Sequence, residues 1–183
     1  MNIVKTELDG VLICEPKCFP DDRGCFVETY NQERYQNGGI TEPFMQDNHS
    51  HSKKGVLRGL HYQLNYPQGK LLYVVTGEIF DVAVDVRVGS STFGKYVGVH
   101  LSAENKKQFY VPPGFAHGFV VLSETADVTY KCTDVYHPGD DYIIHYNCPK
   151  INIDWHCDTP LLSPKDNDAV GLDDIPKAHL PTM

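Results

Sequence analysis

The sequence predicts an all-β fold, a jelly-roll barrel with one short N-terminal helix and an irregular C-terminal tail. Turn-forming residues recur at short intervals: Asp22-Arg23-Gly24, Asn37-Gly38-Gly39, Thr76-Gly77, Val88-Gly89-Ser90, Pro112-Pro113-Gly114 and Pro138-Gly139-Asp140. The stretches between them are short and rich in Val, Ile, Tyr and Phe, which suit a pleated, half-buried surface. Helix signals are almost absent. Many short antiparallel strands must close or stack to bury their faces, which gives a barrel or a two-layered structure, with an immunoglobulin-type sandwich as the main rival.

The helix is expected over residues 32–36, where Asn31 can cap the first turn and Gly38 can end it. Residues 71–75 and 78–86 flank Thr76-Gly77 and read as a tight hairpin. Over residues 80–88, Phe80, Val82, Val84, Val86 and Val88 fall on one face while Asp81, Asp85 and Arg87 fall on the other. That alternation describes a strand with one buried side. The Pro- and Asp-rich final stretch reads as irregular. No repeat or composition shift marks a second unit, so residues 1–183 are expected to form one domain with a real core.

A net charge of -8 argues against a broad nucleic-acid or membrane-binding surface. An anionic ligand would need a local basic pocket. The opening Met1-Asn2-Ile3-Val4-Lys5 lacks the apolar core of a signal peptide, and runs such as Gly118-Phe119-Val120-Val121-Leu122 are too short to span a bilayer, so a cytoplasmic protein is expected. The six cysteines, at 14, 18, 25, 132, 148 and 157, contain no CxxC pair. Without an export signal they are expected to be reduced and packed.

Three segments combine titratable groups with glycine or proline: residues 55–63 around Arg58 and His61, residues 112–119 with His117, and residues 162–166 with Ser163, Lys165 and Asp166. The first two are similar to the two metal-binding motifs of a cupin, but the His-x-His pair has become His61-Tyr62-Gln63 and no Glu follows a few residues later. Two histidines without a carboxylate make a poor site for Fe, Mn or Zn. No metal is therefore expected, and His61 is free to act as a base. A core histidine is the plain alternative; against it, strict alternation puts His61 on one face with Leu57, Gly59 and Gln63, and Gly59 leaves room for a ligand. Tyr130 falls with Ala126, Val128 and Cys132 on an apolar face. It reads either as a core tyrosine or as an inward phenol able to donate a proton across the barrel.

With these segments in hand, the chain resembles the dTDP-4-dehydrorhamnose 3,5-epimerases from about Asp9 to Asp166. The motifs are Asp22-Arg23-Gly24-x-Phe26-x-Glu28, Gln46-Asp47-Asn48, Gly55 to His61, Gln68-Gly69-Lys70-Leu71, Gly114 to Phe119, Tyr130-Lys131 and Ser163-x-Lys165-Asp166. Each is weak alone; seven in order are specific. The resemblance implies a cupin jelly roll, a homodimer that exchanges strands, a dTDP-4-keto-6-deoxyhexose substrate and no cofactor. It implies His61 as proton acceptor, Asp166 as its hydrogen-bonding carboxylate, Tyr130 as proton donor and Lys70 at the C4 oxygen. Arg23, Arg58 and Lys165 would meet the pyrophosphate. Phe26, Glu28, Gln46, Asn48, His117 and Asp141 would complete the nucleotide and sugar contacts, Asp141 standing where the family often has Glu.

Chemistry agrees with those roles. C3 and C5 both flank the C4 ketone, so one base, one acid and one cation suffice to invert either centre. Two departures stand out: Val135 occupies a position where many members carry a stacking Tyr, and Cys148-Pro149 replaces Asp-Pro. Alternation also puts Arg58 and His61 on opposite faces, which a bulge at Gly59 or a role for Arg58 at a subunit boundary would reconcile. The competing readings are an epimerase acting at C3 or C5 alone, a non-catalytic cupin that binds a nucleotide sugar, and a metal-dependent cupin oxygenase or isomerase.

Overall fold

Two antiparallel sheets face each other in a computed structural model that describes residues 1–183. In chain order the elements begin with β1 (Asn2–Lys5), β2 (Leu12–Glu15), β3 (Cys18–Asp21), β4 (Gly24–Val27) and helix α1 (Gln32–Asn37). They continue with β5 (Gln46–Lys53), β6 (Leu57–Gln63), β7 (Lys70–Thr76), β8 (Glu78–Asp85) and β9 (Tyr96–Ser102). Last come β10 (Gln108–Val111), β11 (Phe115–Val121), β12 (Thr125–Cys132), β13 (Asp141–Ile143) and the short helix α2 (Pro164–Asn167). One sheet has the order β1-β2-β10-β7-β12-β5 and the other β13-β6-β11-β8-β9. Neighbours in space are distant in sequence, as the jelly-roll expectation requires.

Strand alternation builds the interior. Leu72, Val74, Phe109, Val111, Ala126 and Val128 of the first sheet meet Ile79, Ala83, Leu101, Phe115, Phe119 and Val121 of the second. The outer face of the second sheet is buried as well. There Leu60, Tyr62, Phe80, Val82, Val84 and Val120 pack beneath tail residues that include Ile151, Trp155, Leu172 and Leu180. Helix α1 does the same for part of the first sheet, laying Tyr35 over Leu12, Cys14, Leu71 and Tyr110.

That tail corrects one expectation. β8 is not a strand with one wet side, because its even-numbered face packs under the tail and its odd-numbered face lines the barrel. Asp81 and Asp85 are consequently 0% exposed. Asp85 is satisfied by Arg87, Ser90 and Thr92; burial opposes its charge, yet these hydrogen bonds hold its carboxyl at about 2.

The expected hairpin at Thr76-Gly77 is also corrected, since β7 and β8 belong to different sheets. The turn carries the chain across the barrel edge, and Gly77 adopts φ +81° where a Cβ would lie 2.1 Å from the Thr125 carbonyl oxygen. Tight turn chemistry therefore did not imply pairing of the flanking strands. The helix forms where expected. The Asn31 side chain accepts from the Arg34 N–H at 3.2 Å, and the positive φ that follows the helix belongs to Gly39 rather than to the expected stop, Gly38.

β3 and β4 pair only with each other and form an arm separate from both sheets. Cys18 and Cys25 are diagonal neighbours in this ribbon and are joined as a disulfide, which corrects the expectation that all six cysteines are unpaired. Cys14, Cys132 and Cys148 are free and buried, and Cys157 is free and partly exposed. No helix is long and apolar enough to cross a membrane.

Candidate active site

The site begins at an irregularity in β6. Along β11, His117 lies opposite His61 and Phe119 opposite Arg58, so Gly59 and Leu60 together face the single residue Gly118. This bulge resets the alternation. Leu57, Leu60 and Tyr62 turn outward into the core under the tail, while Arg58 and His61 both line one cleft. The tension between Arg58 and His61 is thereby resolved, and the expectation that Leu57 shares the face of His61 is corrected. Two glycines make the close approach possible: a Cβ on Gly59, at φ +123°, would fall 2.5 Å from the Gly118 Cα.

The cleft, about 250 Å³, is lined by Arg58, His61, Lys70, His117, Tyr130, Asp141, Lys165 and Asp166 among others. A continuation of about 310 Å³ shares His61, Lys70, Tyr130 and Asp141 with it and adds Gln46, Asn48 and Tyr136. Ten of the thirteen sequence-predicted site residues thus converge. His61 comes from the second sheet, and Tyr130 and Lys70 from the first, so imidazole and phenol approach from opposite layers.

His61 Nε2 lies 2.5 Å from Asp166 Oδ1. The carboxylate is itself held by Ser163, whose hydroxyl donates to Asp166 Oδ2 at 2.7 Å while accepting the Asp166 N–H at 3.1 Å. Ser163 caps α2, with Pro164 next, so the local signal that starts this one-turn helix also aims the carboxylate. Burial alone would raise the Asp166 pKa; hydrogen bonds from His61 and Ser163 outweigh it and keep the group below the ordinary carboxylate range. An ionised acceptor on Nε2 leaves Nδ1 of His61 for the cleft.

Tyr130 is pushed upward by burial and stays a protonated phenol at neutral pH. Burial pulls the Lys70 ammonium below the usual lysine range. Arg58 is braced by Ser52, its Nε and Nη2 donating to the Oγ at 3.2 and 3.0 Å. Lys165 ion-pairs with Asp141 at the cleft wall. Gln46 donates to Asn48 Oδ1 at 3.0 Å and accepts the Tyr136 N–H at 2.8 Å.

Three predicted residues lie elsewhere. Arg23, with its side chain 90% exposed, pairs with Asp21, and Phe26 is 70% exposed; both sit on the arm. Glu28 follows the arm and pairs with Arg34 of α1 at 2.8 Å. None lines the cleft of its own chain, because the ribbon that carries them joins neither sheet. Two residues missed in the sequence reading do bear on the site. Tyr136 presents a half-exposed ring beside Gln46, next to the Val135 singled out earlier. Asp81, placed by alternation on a polar face, accepts a hydrogen bond from His117 Nε2 at 2.6 Å inside the barrel. Its signal was an Asp set between the apolar residues Phe80 and Val82 of β8.

Residues 5–174 match the family model described as dTDP-4-dehydrorhamnose 3,5-epimerase. The chain is 55% identical over 168 residues to the dTDP-4-dehydrorhamnose 3,5-epimerase of Shigella flexneri, covering 91% of this chain and 93% of that protein. To the enzyme of the same name from Escherichia coli K12 it is 50% identical over 183 residues, covering 98% and 99%. In three dimensions it is similar to the dTDP-6-deoxy-D-glucose-3,5-epimerase of Legionella pneumophila solved in complex with dTDP-4-keto-L-rhamnose, with a TM-score of 0.97, 54% identity and coverage of 100% and 98%.

Proposed function

The chain belongs to the dTDP-4-dehydrorhamnose 3,5-epimerase family, and from that membership and the cleft we infer that it inverts C3 and C5 of dTDP-4-dehydro-6-deoxy-D-glucose to give dTDP-4-dehydro-L-rhamnose. The observation that carries the mechanism is the pairing of His61, backed by Asp166, with Tyr130 on the facing sheet of one cleft.

His61 Nδ1 takes the proton from the carbon beside the C4 ketone. The C–H electron pair moves into the ring and on to the C4 oxygen, and the Lys70 ammonium stabilises the resulting enolate as a fixed hydrogen-bond donor. Asp166 stabilises the imidazolium and holds its tautomer, as a triad carboxylate does. The Tyr130 hydroxyl delivers a proton to the opposite face of the same carbon, which completes the inversion. The imidazolium then loses its proton and the phenolate regains one, in exchange with solvent, before the second centre reacts.

Arg58 and Lys165 suit the pyrophosphate; release of Lys165 from Asp141 would be part of binding. Asn48, Gln46 and His117 suit the sugar and nucleotide, and the exposed Tyr136 ring offers the base a stacking face in place of Val135. The arm is read as an element of a homodimer, carrying Arg23, Phe26 and Glu28 toward the cleft of a second copy. Support comes from the exposure of Arg23 and Phe26 and from a two-stranded ribbon that has no sheet to join in its own chain.

Turnover of dTDP-4-dehydro-6-deoxy-D-glucose in D2O, followed by proton NMR, tests the reading. Deuterium should enter at both C3 and C5; label at a single position would make the protein a single-centre epimerase. His61→Ala should still bind dTDP and lose exchange at both carbons, and undiminished exchange would remove His61 as the base.

A further inference from the structure

Asp81 is a buried carboxylate with half its hydrogen-bonding capacity unused. It is 0% exposed; Oδ1 takes the bond from His117 Nε2, and Oδ2 has no partner. The other buried carboxylates are satisfied at both oxygens: Asp85 by Arg87, Ser90 and Thr92, Asp140 by Asn65 and Tyr66, Asp166 by His61 and Ser163. Asp81 sits instead among apolar barrel residues, paired across strands with Phe119 and Val99. An apolar residue of the same shape would be easier to bury there, so the carboxylate needs a reason other than stability. The bond it makes supplies one. His117 lines the cleft, lies opposite His61 in the β6–β11 ladder, and has no protein partner at Nδ1.

We propose that Asp81 is a positioning residue for the epimerisation, holding His117 with Nε2–H turned to the barrel floor so that Nδ1 is presented as an acceptor to a hydroxyl of the bound sugar. The arrangement parallels Asp166 behind His61, so that two neighbouring imidazoles on one sheet each have a buried carboxylate at Nε2. Burial raises the Asp81 pKa while His117 and Lys70 oppose that rise, which ties its charge to the two groups it faces. Only the kinetic part of the proposal rests on the epimerase reading; the tautomer is measured without substrate.

Long-range 1H–15N spectra of protein labelled at histidine, with the His117 signals identified by their absence in His117→Gln, should show a single Nε2–H tautomer. An Nδ1–H form or a mixture in the wild-type protein would overturn the proposal, whatever its activity. Asp81→Leu should keep or raise the melting temperature while its His117 tautomers mix and kcat falls about 10- to 100-fold, by analogy with the loss of a carboxylate that orients a metal-bound histidine. Asp81→Asn, which keeps an acceptor, should recover part of that loss. Wild-type kcat in Asp81→Leu, or no advantage of Asn over Leu, would show that Asp81 does not act through His117. Should the Leu variant fail to fold, the wild-type spectrum and a drop in kcat of the Asn variant at unchanged dTDP affinity still decide the matter; unchanged kcat there counts against it.

Discussion

Gly59→Ala tests the bulge on which the site depends. At φ +123° an L residue is strained, by about 1–3 kcal/mol. The added methyl would also lie 2.5 Å from the Gly118 Cα and 2.6 Å from the His117 carbonyl oxygen. Carbon atoms settle about 3.5–4.0 Å apart, so relief requires β6 and β11 to separate by about 1 Å. Both clashing atoms are backbone, and neither can rotate away. Strain and separation together amount to about 3–5 kcal/mol. At roughly 2–4 °C per kcal/mol for a chain of this size, the melting temperature should fall by about 6–20 °C. A shift of that size between His61 and the facing acid should also lower kcat of the folded protein about 100-fold. Gly118→Ala is the control. Its Cβ would meet the Arg58 carbonyl oxygen at 2.8 Å without a positive φ, so a smaller loss of about 1–2 kcal/mol is expected. Calorimetry and the deuterium exchange assay read both quantities. A Gly59→Ala protein that melts within 2 °C of wild type, or that is no worse than Gly118→Ala, would refute the account of the bulge.

Tyr130→Phe removes the acid but not the base, so solvent exchange at the acidified carbons should outlast net inversion; equal loss of both, by NMR, would remove the division of roles. Lys70→Met should lower kcat by about 10²–10³, as the loss of one oxyanion donor does, with dTDP affinity nearly unchanged by calorimetry. Asp166→Asn should change the acid limb of stability. The native pKa of Asp166 is depressed, so its stabilising contribution is complete above the unfolded value of about 3.9 and vanishes as pH falls through the lower native value. Replacement by Asn should therefore flatten melting temperature against pH on the acid side, while a curve parallel to wild type would place the His61–Asp166 bond outside the balance of stability.

Much of the fold was legible because β-alternation and turn residues are local signals. The face containing Ala126, Val128 and Tyr130 was read correctly from a period of two, and Asn31 declared the helix it caps. What misled was information carried by distant chain. The polar side of β8 looked wet because nothing in residues 78–86 announces that the tail will cover the opposite face. The turn at Thr76-Gly77 looked like a hairpin because a tight turn is the same locally whether its strands pair or part into two layers. The site was legible through glycine-linked titratable residues, and even the bulge at Gly59 was foreseen as a way out of a conflict in alternation. Asp81 was not, since its value lies in a bond to His117, 36 residues away in sequence.

The architecture also explains why this chemistry sits in a barrel. Inverting a carbon next to a ketone requires proton transfer on two opposite faces of one ring, so acid and base cannot share a surface. Two sheets packed about 10 Å apart provide opposed walls at a spacing that admits a sugar but little water. His61, His117 and Asp81 stand on one wall, with Asp166 reaching His61 from α2, and Tyr130 and Lys70 stand on the other. Each wall is stiffened from behind, the first by the tail and the second in part by α1. The rigidity that orders the reacting groups thus lies largely in apolar side chains of the tail and α1, and the same tail supplies Asp166 and Lys165 to the cleft. Substitutions in the buried tail, at Trp155 or Leu172, are accordingly expected to reach the reaction by loosening the wall that holds His61.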